Sequence, residues 1–214
     1  MPKVTIKGNP DIVLEVPTGT SLYEISKTVQ SNYKYPILTA TLDNLLTNLS
    51  RTINSNSVVE FFDRSSVYGS RIYSRSLEFL VTTCSSLVLG RDNDILVDYT
   101  LDNGIYCEVK NQTINLETVK KIEDKMHELV SKKIPYEFVP VTKLDAMRYF
   151  ESTGQLDKVE NLRYISNSSI KLYKIGNHYD YFFGPIAHDT GQTDLFKLIY
   201  LDERSFIISI PRKK

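Results

Sequence analysis

The side chains that most often carry chemistry are few and widely spaced in this chain. It contains three histidines, His127, His178 and His188, and two cysteines, Cys84 and Cys107. A zinc site needs three or four converging ligands, typically with close pairs on one helix or loop, and these residues form no such pair. The two cysteines fall within a helical and a strand-like pattern, which favours reduced core thiols. We therefore expect no metal site.

Motifs that bind phosphates or activate a nucleophile are also missing from the sequence. It contains neither G-x-x-x-x-G-K-[ST] nor G-x-G-x-x-G, the spacings that let backbone amides cradle a phosphate ahead of a helix. No serine lies in a G-x-S-x-G elbow, although a catalytic triad assembled across the fold stays open. We expect no cofactor and no nucleotide hydrolysis within these residues.

Charge and hydropathy restrict the partners. The chain carries 26 lysines and arginines against 26 aspartates and glutamates, so strong non-specific binding to nucleic acid is not expected, although the fold could still build a local basic patch. No apolar run approaches the roughly 20 residues that cross a bilayer, and the first residues, MPKVTIKGNP, lack the apolar core of a secretory signal. We expect a cytoplasmic protein without membrane contact.

Residues 1–64 predict a small β-grasp-like domain with the order hairpin, helix and short strands. Apolar residues alternate at 4–6 and 12–16 on either side of turn residues, which is the pattern of a β-hairpin. Ser21 and Glu24 have the spacing of a capping box, so a helix should begin there. Short strands are predicted at 37–41 and 57–62. A domain of this kind commonly serves recognition.

Residues 65–214 predict a larger α+β domain. Apolar residues at helical spacing indicate a helix from about 71 that ends at Gly90. Alternating runs on both sides of Asp102-Asn103-Gly104 indicate a hairpin with a tight turn.

Two further helices and the closing strands complete the predicted second domain. Asn115 can cap a helix that runs to about 132. Thr142 with Asp145 marks the start of a shorter helix that Gly154 closes. The remaining strands, predicted at 170–175, 179–183, 195–200 and 205–210, complete a mainly antiparallel sheet.

Five stretches form an ordered series along almost the whole chain. They read VPTGT at 16–20, RSLEFL at 75–80, NGIY at 103–106, IEDKM at 122–126, and YDYFFGP at 179–185 with TG at 190–191. This series resembles the N-terminal half of threonyl-tRNA synthetase. There a β-grasp TGS domain precedes the second additional domain, or SAD, which hydrolyses mischarged tRNA. The resemblance therefore implies a TGS-like domain followed by a SAD-like domain.

The positions that carry the editing chemistry differ from the family pattern. The family's HxxxH and CxxxH motifs fall on Arg75, Phe79, Phe182 and Ile186. One guanidinium and three apolar groups thus replace three imidazoles and a thiol. Phenylalanine and isoleucine cannot ligate a metal, orient water or accept a proton. We expect the hydrolytic mechanism of the family to be lost and these four positions to form a degenerate site.

The chain also resembles a second group that has lost the same catalytic residues, the uridine-kinase-like proteins. In these, TGS-like and degenerate SAD-like domains precede a P-loop kinase domain. The stretches 181–185, 190–191 and 206–211 carry this resemblance. It implies a non-catalytic recognition or regulatory region, with its own C-terminal kinase domain as a possible partner. ATP and Mg²⁺ are expected only if such a domain follows Lys214, and any enzymatic activity would belong to that domain.

Two alternatives stay open. One is a tRNA-editing deacylase related to threonyl-tRNA synthetase. The other is a module that binds RNA or a nucleotide without catalysis, in which Arg75, Asp180 and His188 line a residual pocket and the guanidinium suits an anion. The competing interpretation of Arg75 is an ion pair with a surface carboxylate. His188 has the strongest claim to a function among the histidines, because it follows Gly184-Pro185 in an irregular segment.

Overall fold

The structure, a computed structural model, describes residues 1–8, 10–90, 95–101, 104–182 and 184–210. It is a mixed α+β protein with mainly antiparallel sheets, as predicted. Contacts group the chain into two compact units: unit 1 is Met1–Ser76 with Phe183–Thr193, and unit 2 is Leu77–Phe182 with Asp194–Lys214. This grouping describes packing, and the boundary between family domains at 64 and 65 stays a prediction.

Unit 1 contains a small sheet and a helix that share one apolar core. The five-stranded sheet runs β2-β1-β7-β4-β5, and β3 pairs separately with β6. Only the pairing of β1 with β7 is parallel among the described strands of this sheet. The elements are β1 Lys3–Ile6, β2 Ile12–Glu15, β3 Thr20–Ser21, α1 Leu22–Val29, β4 Ile37–Leu42, β5 Leu45–Thr47, β6 Thr52–Ile53 and β7 Ser57–Asp63.

Helix α1 begins where the sequence indicated. The backbone N–H of Glu24 donates to Oγ of Ser21, and the Glu24 carboxylate accepts the Ser21 backbone N–H in return, which completes the capping box. The helix buries Leu22, Ile25 and Val29 against apolar side chains of the sheet. The order hairpin, helix, strands and this common core fit the predicted β-grasp arrangement.

A long helix, α2 (Val67–Leu89), begins in unit 1 and ends in unit 2. It starts four residues before the predicted position and ends at Gly90, as predicted, where the backbone is left-handed at φ 96°. Gly69 lies in its first turn, and a Cβ there would come 1.8 Å from the carbonyl oxygen of Asp63. The close approach of two backbones explains this glycine.

The described strands of unit 2 form two antiparallel sheets, whereas the sequence predicted a single sheet. One runs β10-β11-β12 and the other β13-β14-β9-β8. The hairpin of β8 and β9 is confirmed, whereas Asp102 and Asn103 of its turn lie outside the described residues. The elements are β8 Ile95–Leu101, β9 Gly104–Val109, α3 Leu116–Lys132, β10 Glu137–Thr142, α4 Lys143–Ser152, α5 Leu156–Arg163, β11 Ser169–Ile175, β12 His178–Asp180, β13 Lys197–Asp202 and β14 Ser205–Ser209.

Local capping explains the helices that the sequence predicted in unit 2. Asn115 accepts the backbone N–H of Thr118 at the start of α3, and Thr142 accepts that of Asp145 at the start of α4. The described residues contain no helix long and apolar enough to cross a bilayer.

Candidate functional site

Phe79 and Phe182, two of the four degenerate positions, belong to an aromatic cluster in unit 2. Phe79 projects from α2 and is 1% exposed. Its ring centroid lies 5.6 Å from that of Tyr136 and 5.7 Å from that of Phe182. The Phe182 ring also lies 6.0 Å from Tyr173. Aromatic contacts of this geometry stabilise a core and offer no proton acceptor.

Arg75 and Ile186, the other two degenerate positions, lie in unit 1. The Arg75 guanidinium donates from Nη1 to the backbone carbonyl of Pro185 at 2.6 Å. This acceptor is a main-chain oxygen, and the competing interpretation, an ion pair of Arg75 with a surface carboxylate, stays a prediction. A Cβ at Gly184 would lie 3.1 Å from the same Nη1, so the guanidinium packs directly on this turn. Ile186 is 1% exposed and serves as a core residue.

His188 stacks on the β-grasp helix of unit 1. Its imidazole lies on the ring of Tyr23, with centroids 3.7 Å apart and planes 16° from parallel. The Tyr23 hydroxyl donates to the Asp189 carboxylate at 3.4 Å. Burial lowers the pKa of His188, the negative charge of Asp189 opposes this shift, and the positive charge of Lys27 adds to it. The Nδ1 atom of His188 is buried, and no described residue forms a hydrogen bond with it.

Side chains from several parts of unit 1 hold the segment 184–193, which includes the predicted His188. The Gln192 amide donates to the carbonyl of Ile37 at 2.7 Å and accepts the backbone N–H of His188 at 2.7 Å. The backbone N–H of Ala187 donates to Oγ of Ser76 at 2.8 Å. Sequence reasoning missed Gln192 and Ser76, because both act through contacts far apart in the chain.

Asp180, the third residue of the predicted residual pocket, lies in unit 2. Its buried carboxylate accepts from the Lys158 ammonium at 2.5 Å and from the Tyr181 backbone N–H at 2.6 Å. Arg75 and His188 have their own partners in unit 1. A pocket shared by Arg75, Asp180 and His188 stays a prediction.

The described residues of unit 2 form a cleft that is open to solvent. About 590 Å³ of empty space lies in it when the open solvent at its mouth is counted, and α2, α4, β12 and the start of α5 supply most of its lining. Of the four degenerate positions only Phe79 borders it. The lining residues are Phe79, Thr82, Thr83, Ser86, Ile95, Tyr149, Thr153, Gln155, Asn177, His178, Tyr179 and Asp180.

The remaining predicted candidates take structural positions. Burial raises the pKa of the Cys84 and Cys107 thiols, and both cysteines are free. His127 is exposed on α3, where its ring stacks on Phe196 with centroids 4.4 Å apart. Within the described residues, no group of three or more histidine, cysteine or acidic side chains could hold a metal ion.

The sequence is similar to those of threonine–tRNA ligases. It is 26% identical over 208 residues to the enzyme of Rhodopseudomonas palustris, in a match that covers 93% of this chain and 30% of that relative. It is 26% identical over 196 residues to the enzyme of Francisella tularensis subsp. novicida, which covers 88% of this chain and 30% of that relative. The chain thus spans about 30% of the length of these curated relatives. No protein-family profile matches it.

This similarity extends over nearly the whole chain and supports a TGS-like and SAD-like region related to threonyl-tRNA synthetase. It favours that relationship over the uridine-kinase-like one, because both of these relatives are threonine–tRNA ligases.

Proposed function

We propose that this chain is a non-hydrolytic recognition module for tRNA, related to the editing region of threonyl-tRNA synthetase. The module keeps the TGS-like and SAD-like scaffold and lacks the groups that hydrolyse the aminoacyl ester. Its proposed partner is RNA, and we propose the cytoplasm as its location. The two free, buried cysteines are consistent with a reducing compartment.

One observation carries the non-hydrolytic part of this proposal. Phe79 is buried and contacts two other aromatic rings, Ile186 is a core residue, and the Arg75 guanidinium donates to a carbonyl. Ester hydrolysis needs a group that accepts a proton from water or polarises the carbonyl. The side chains at Phe79, Phe182 and Ile186 can do neither, and a guanidinium remains protonated at neutral pH. The deacylase alternative therefore lacks a catalytic centre at the family's positions.

The recognition part of the proposal rests on the relatives. Their name identifies them as ligases that act on tRNA, and this chain matches them over about nine-tenths of its own length. A uridine-kinase-like parent protein with ATP and Mg²⁺ at a further domain draws support only from the motif resemblance. The RNA-binding alternative agrees better with the comparisons, and we adopt it.

Binding to tRNA is the first test. Fluorescence anisotropy with labelled threonine tRNA should show saturable binding by the purified chain. The salt dependence of this binding should be shallow, because a chain with net charge zero neutralises few phosphates and releases few counterions. A serine tRNA serves as the matched comparison. Absence of saturable binding to both tRNAs at low salt would contradict the recognition role.

Deacylation is the second test. Threonine tRNA charged with serine should lose its amino acid in the presence of the chain no faster than in buffer alone. A threonine–tRNA ligase with an intact editing site supplies the positive control in the same assay. Enzymatic deacylation by the chain, abolished by heat denaturation, would overturn the non-hydrolytic role and leave the recognition role standing.

A further inference from the structure

The end of helix α5 presents an aromatic ring to solvent. Tyr164 directly follows the last helical residue, Arg163, and is 89% exposed. No described residue forms a hydrogen bond or a ring contact with its side chain. Tyrosine is enriched where proteins meet a partner, because its ring offers a large, stiff surface with a polar tip. The open ring of Tyr164 is therefore a candidate contact surface.

Hydrogen bonds on both sides of Tyr164 hold the backbone that carries the ring. The backbone N–H of Tyr164 donates to the carbonyl of Asn161 at 3.3 Å. The Lys143 ammonium, at the start of α4, donates to the carbonyls of Arg163 at 3.3 Å and Ile165 at 2.8 Å. Ile165 also packs on the apolar core between α4, α5 and β11. A ring on a fixed turn loses little conformational freedom when a ligand stacks on it.

Two cations lie on the same stretch as the open ring. Arg163 is exposed, and no described acidic side chain forms an ion pair with it, Glu160 one turn earlier included. The two acceptors of Lys143 are uncharged main-chain oxygens. Proteins that bind single-stranded nucleic acid combine such features, because bases stack on the ring and phosphates meet the cations.

The low charge of the chain favours an unpaired nucleotide over a duplex. With net charge zero, neutralisation of phosphates contributes little to binding, whereas stacking on a protein ring needs no charge. Bases inside a duplex cover one another, so only an unpaired base can offer its face to Tyr164.

We propose that Tyr164 stacks on an unpaired base of bound RNA, with Arg163 and Lys143 beside the flanking phosphates. This inference rests on the proposed recognition of tRNA and names one contact through which it takes place. The contact uses none of the four degenerate positions.

The first test places a single tryptophan at the site in the full chain. The sequence contains no tryptophan, so Tyr164→Trp introduces a unique fluorophore and keeps an aromatic ring, and a stacked base should quench it. Leu156→Trp is the matched control, because Leu156 is 60% exposed at the other end of the same helix. The probes are threonine tRNA, an oligoadenylate of about ten nucleotides, and the same strand paired with oligouridylate.

We expect threonine tRNA and free oligoadenylate to quench Tyr164→Trp saturably. The paired strand should quench it much less, and Leu156→Trp should keep its emission with all three probes. Absence of quenching by both tRNA and oligoadenylate would overturn the proposal. Emission of Tyr164→Trp that changes with protein concentration and not with RNA would place a second copy of the chain on this surface, and would overturn it as well.

The second test compares affinities by fluorescence anisotropy of labelled RNA. Tyr164→Ala should weaken binding of oligoadenylate and threonine tRNA about fivefold or more, whereas Tyr164→Phe should bind like the original chain. Arg163→Gln should reduce the slope of log affinity against log salt by about 0.7 for oligoadenylate. Because both side chains are exposed, the variants should unfold at the same urea concentration as the original chain.

The outcomes separate this contact from the recognition of tRNA. Equal affinity of Tyr164→Ala and the original chain for tRNA would overturn the stacking contact and leave tRNA recognition standing. Quenching and binding by oligoadenylate without binding of tRNA would overturn tRNA recognition and support the contact as a site for unpaired RNA.

Discussion

His188 lies flat on Tyr23, with ring centroids 3.7 Å apart, although 165 positions separate the two residues in the sequence. The stacked imidazole has a lowered pKa, chiefly because it is buried, with Asp189 acting against this shift and Lys27 reinforcing it. Acidification therefore protonates His188 in the unfolded chain before it protonates His188 in the folded protein. The contact couples stability to pH.

We predict that the original chain loses more stability on acidification than His188→Phe does. The unfolded chain binds the extra proton as the pH falls through about 6.5, so the free energy of unfolding falls from there down through the lower folded pKa. Phenylalanine preserves the stacked ring and cannot titrate. Urea unfolding at about pH 8 and about pH 5 tests this linkage. If the difference in free energy of unfolding between the two proteins is the same at both pH values, His188 does not link stability to pH.

Gly184→Ala should destabilise unit 1 through two separable effects. The backbone there has φ 107°, which is strained for alanine, and the new Cβ would approach Arg75 Nη1 to 3.1 Å. We expect a loss of about 1–2 kcal/mol in the free energy of unfolding, measured in urea.

Gly19→Ala provides the matched control for that substitution. Its φ is 90°, with nothing within 4 Å of the added Cβ, so it reports backbone strain alone. In an Arg75→Ala background the cost of Gly184→Ala should fall toward that of Gly19→Ala. If Gly184→Ala lowers the free energy of unfolding by the same amount with and without Arg75, the guanidinium moves aside at no cost in stability.

Phe79→Ala should remove a central contact of unit 2. The residue is 1% exposed and packs against two other rings, so truncation should cost about 3–5 kcal/mol in denaturant unfolding. Leu87→Ala on the same helix is the control, because Leu87 is 51% exposed and its truncation should cost about 0.5 kcal/mol or less. Similar losses for the two variants would place Phe79 outside the core.

Asp180→Asn should weaken unit 2, because it leaves the Lys158 ammonium without its carboxylate. The Asp180 side chain is only 5% exposed, and we expect a loss of about 2–3 kcal/mol. Glu117→Gln breaks the exposed pair with Lys121 and should have no measurable effect on unfolding. If Asp180→Asn also has none, the buried pair contributes no net stability.

Local signals in the sequence predicted most of the elements. The capping residues Ser21, Asn115 and Thr142 make the predicted hydrogen bonds with residues only three positions away, so a short stretch contains the complete pattern. Strand β10 escaped prediction because Pro140 interrupts it, which its place at the edge of the sheet permits. Helix α5 has no side-chain cap, and its start therefore left no sequence signal.

The surroundings of the candidate residues depended on contacts that no local pattern encodes. The sequence identified His188 and Arg75 as candidates but gave no indication of Tyr23 or the Pro185 carbonyl as their partners. The bond from Gln192 to Ile37 spans 155 positions.

The segment 184–193 has a consequence for anyone who dissects this protein. The chain passes from one unit to the other after Ser76, after Phe182 and again after Thr193, so neither unit is encoded by one uninterrupted stretch. A fragment that stops at residue 64 or 76 would expose the surface that Gln192 and His188 cover. Fragments cut at these positions should therefore aggregate or be degraded more readily than the intact chain. A fragment that reproduces unit 1 must include the segment 184–193, either joined by a linker or added as a separate peptide.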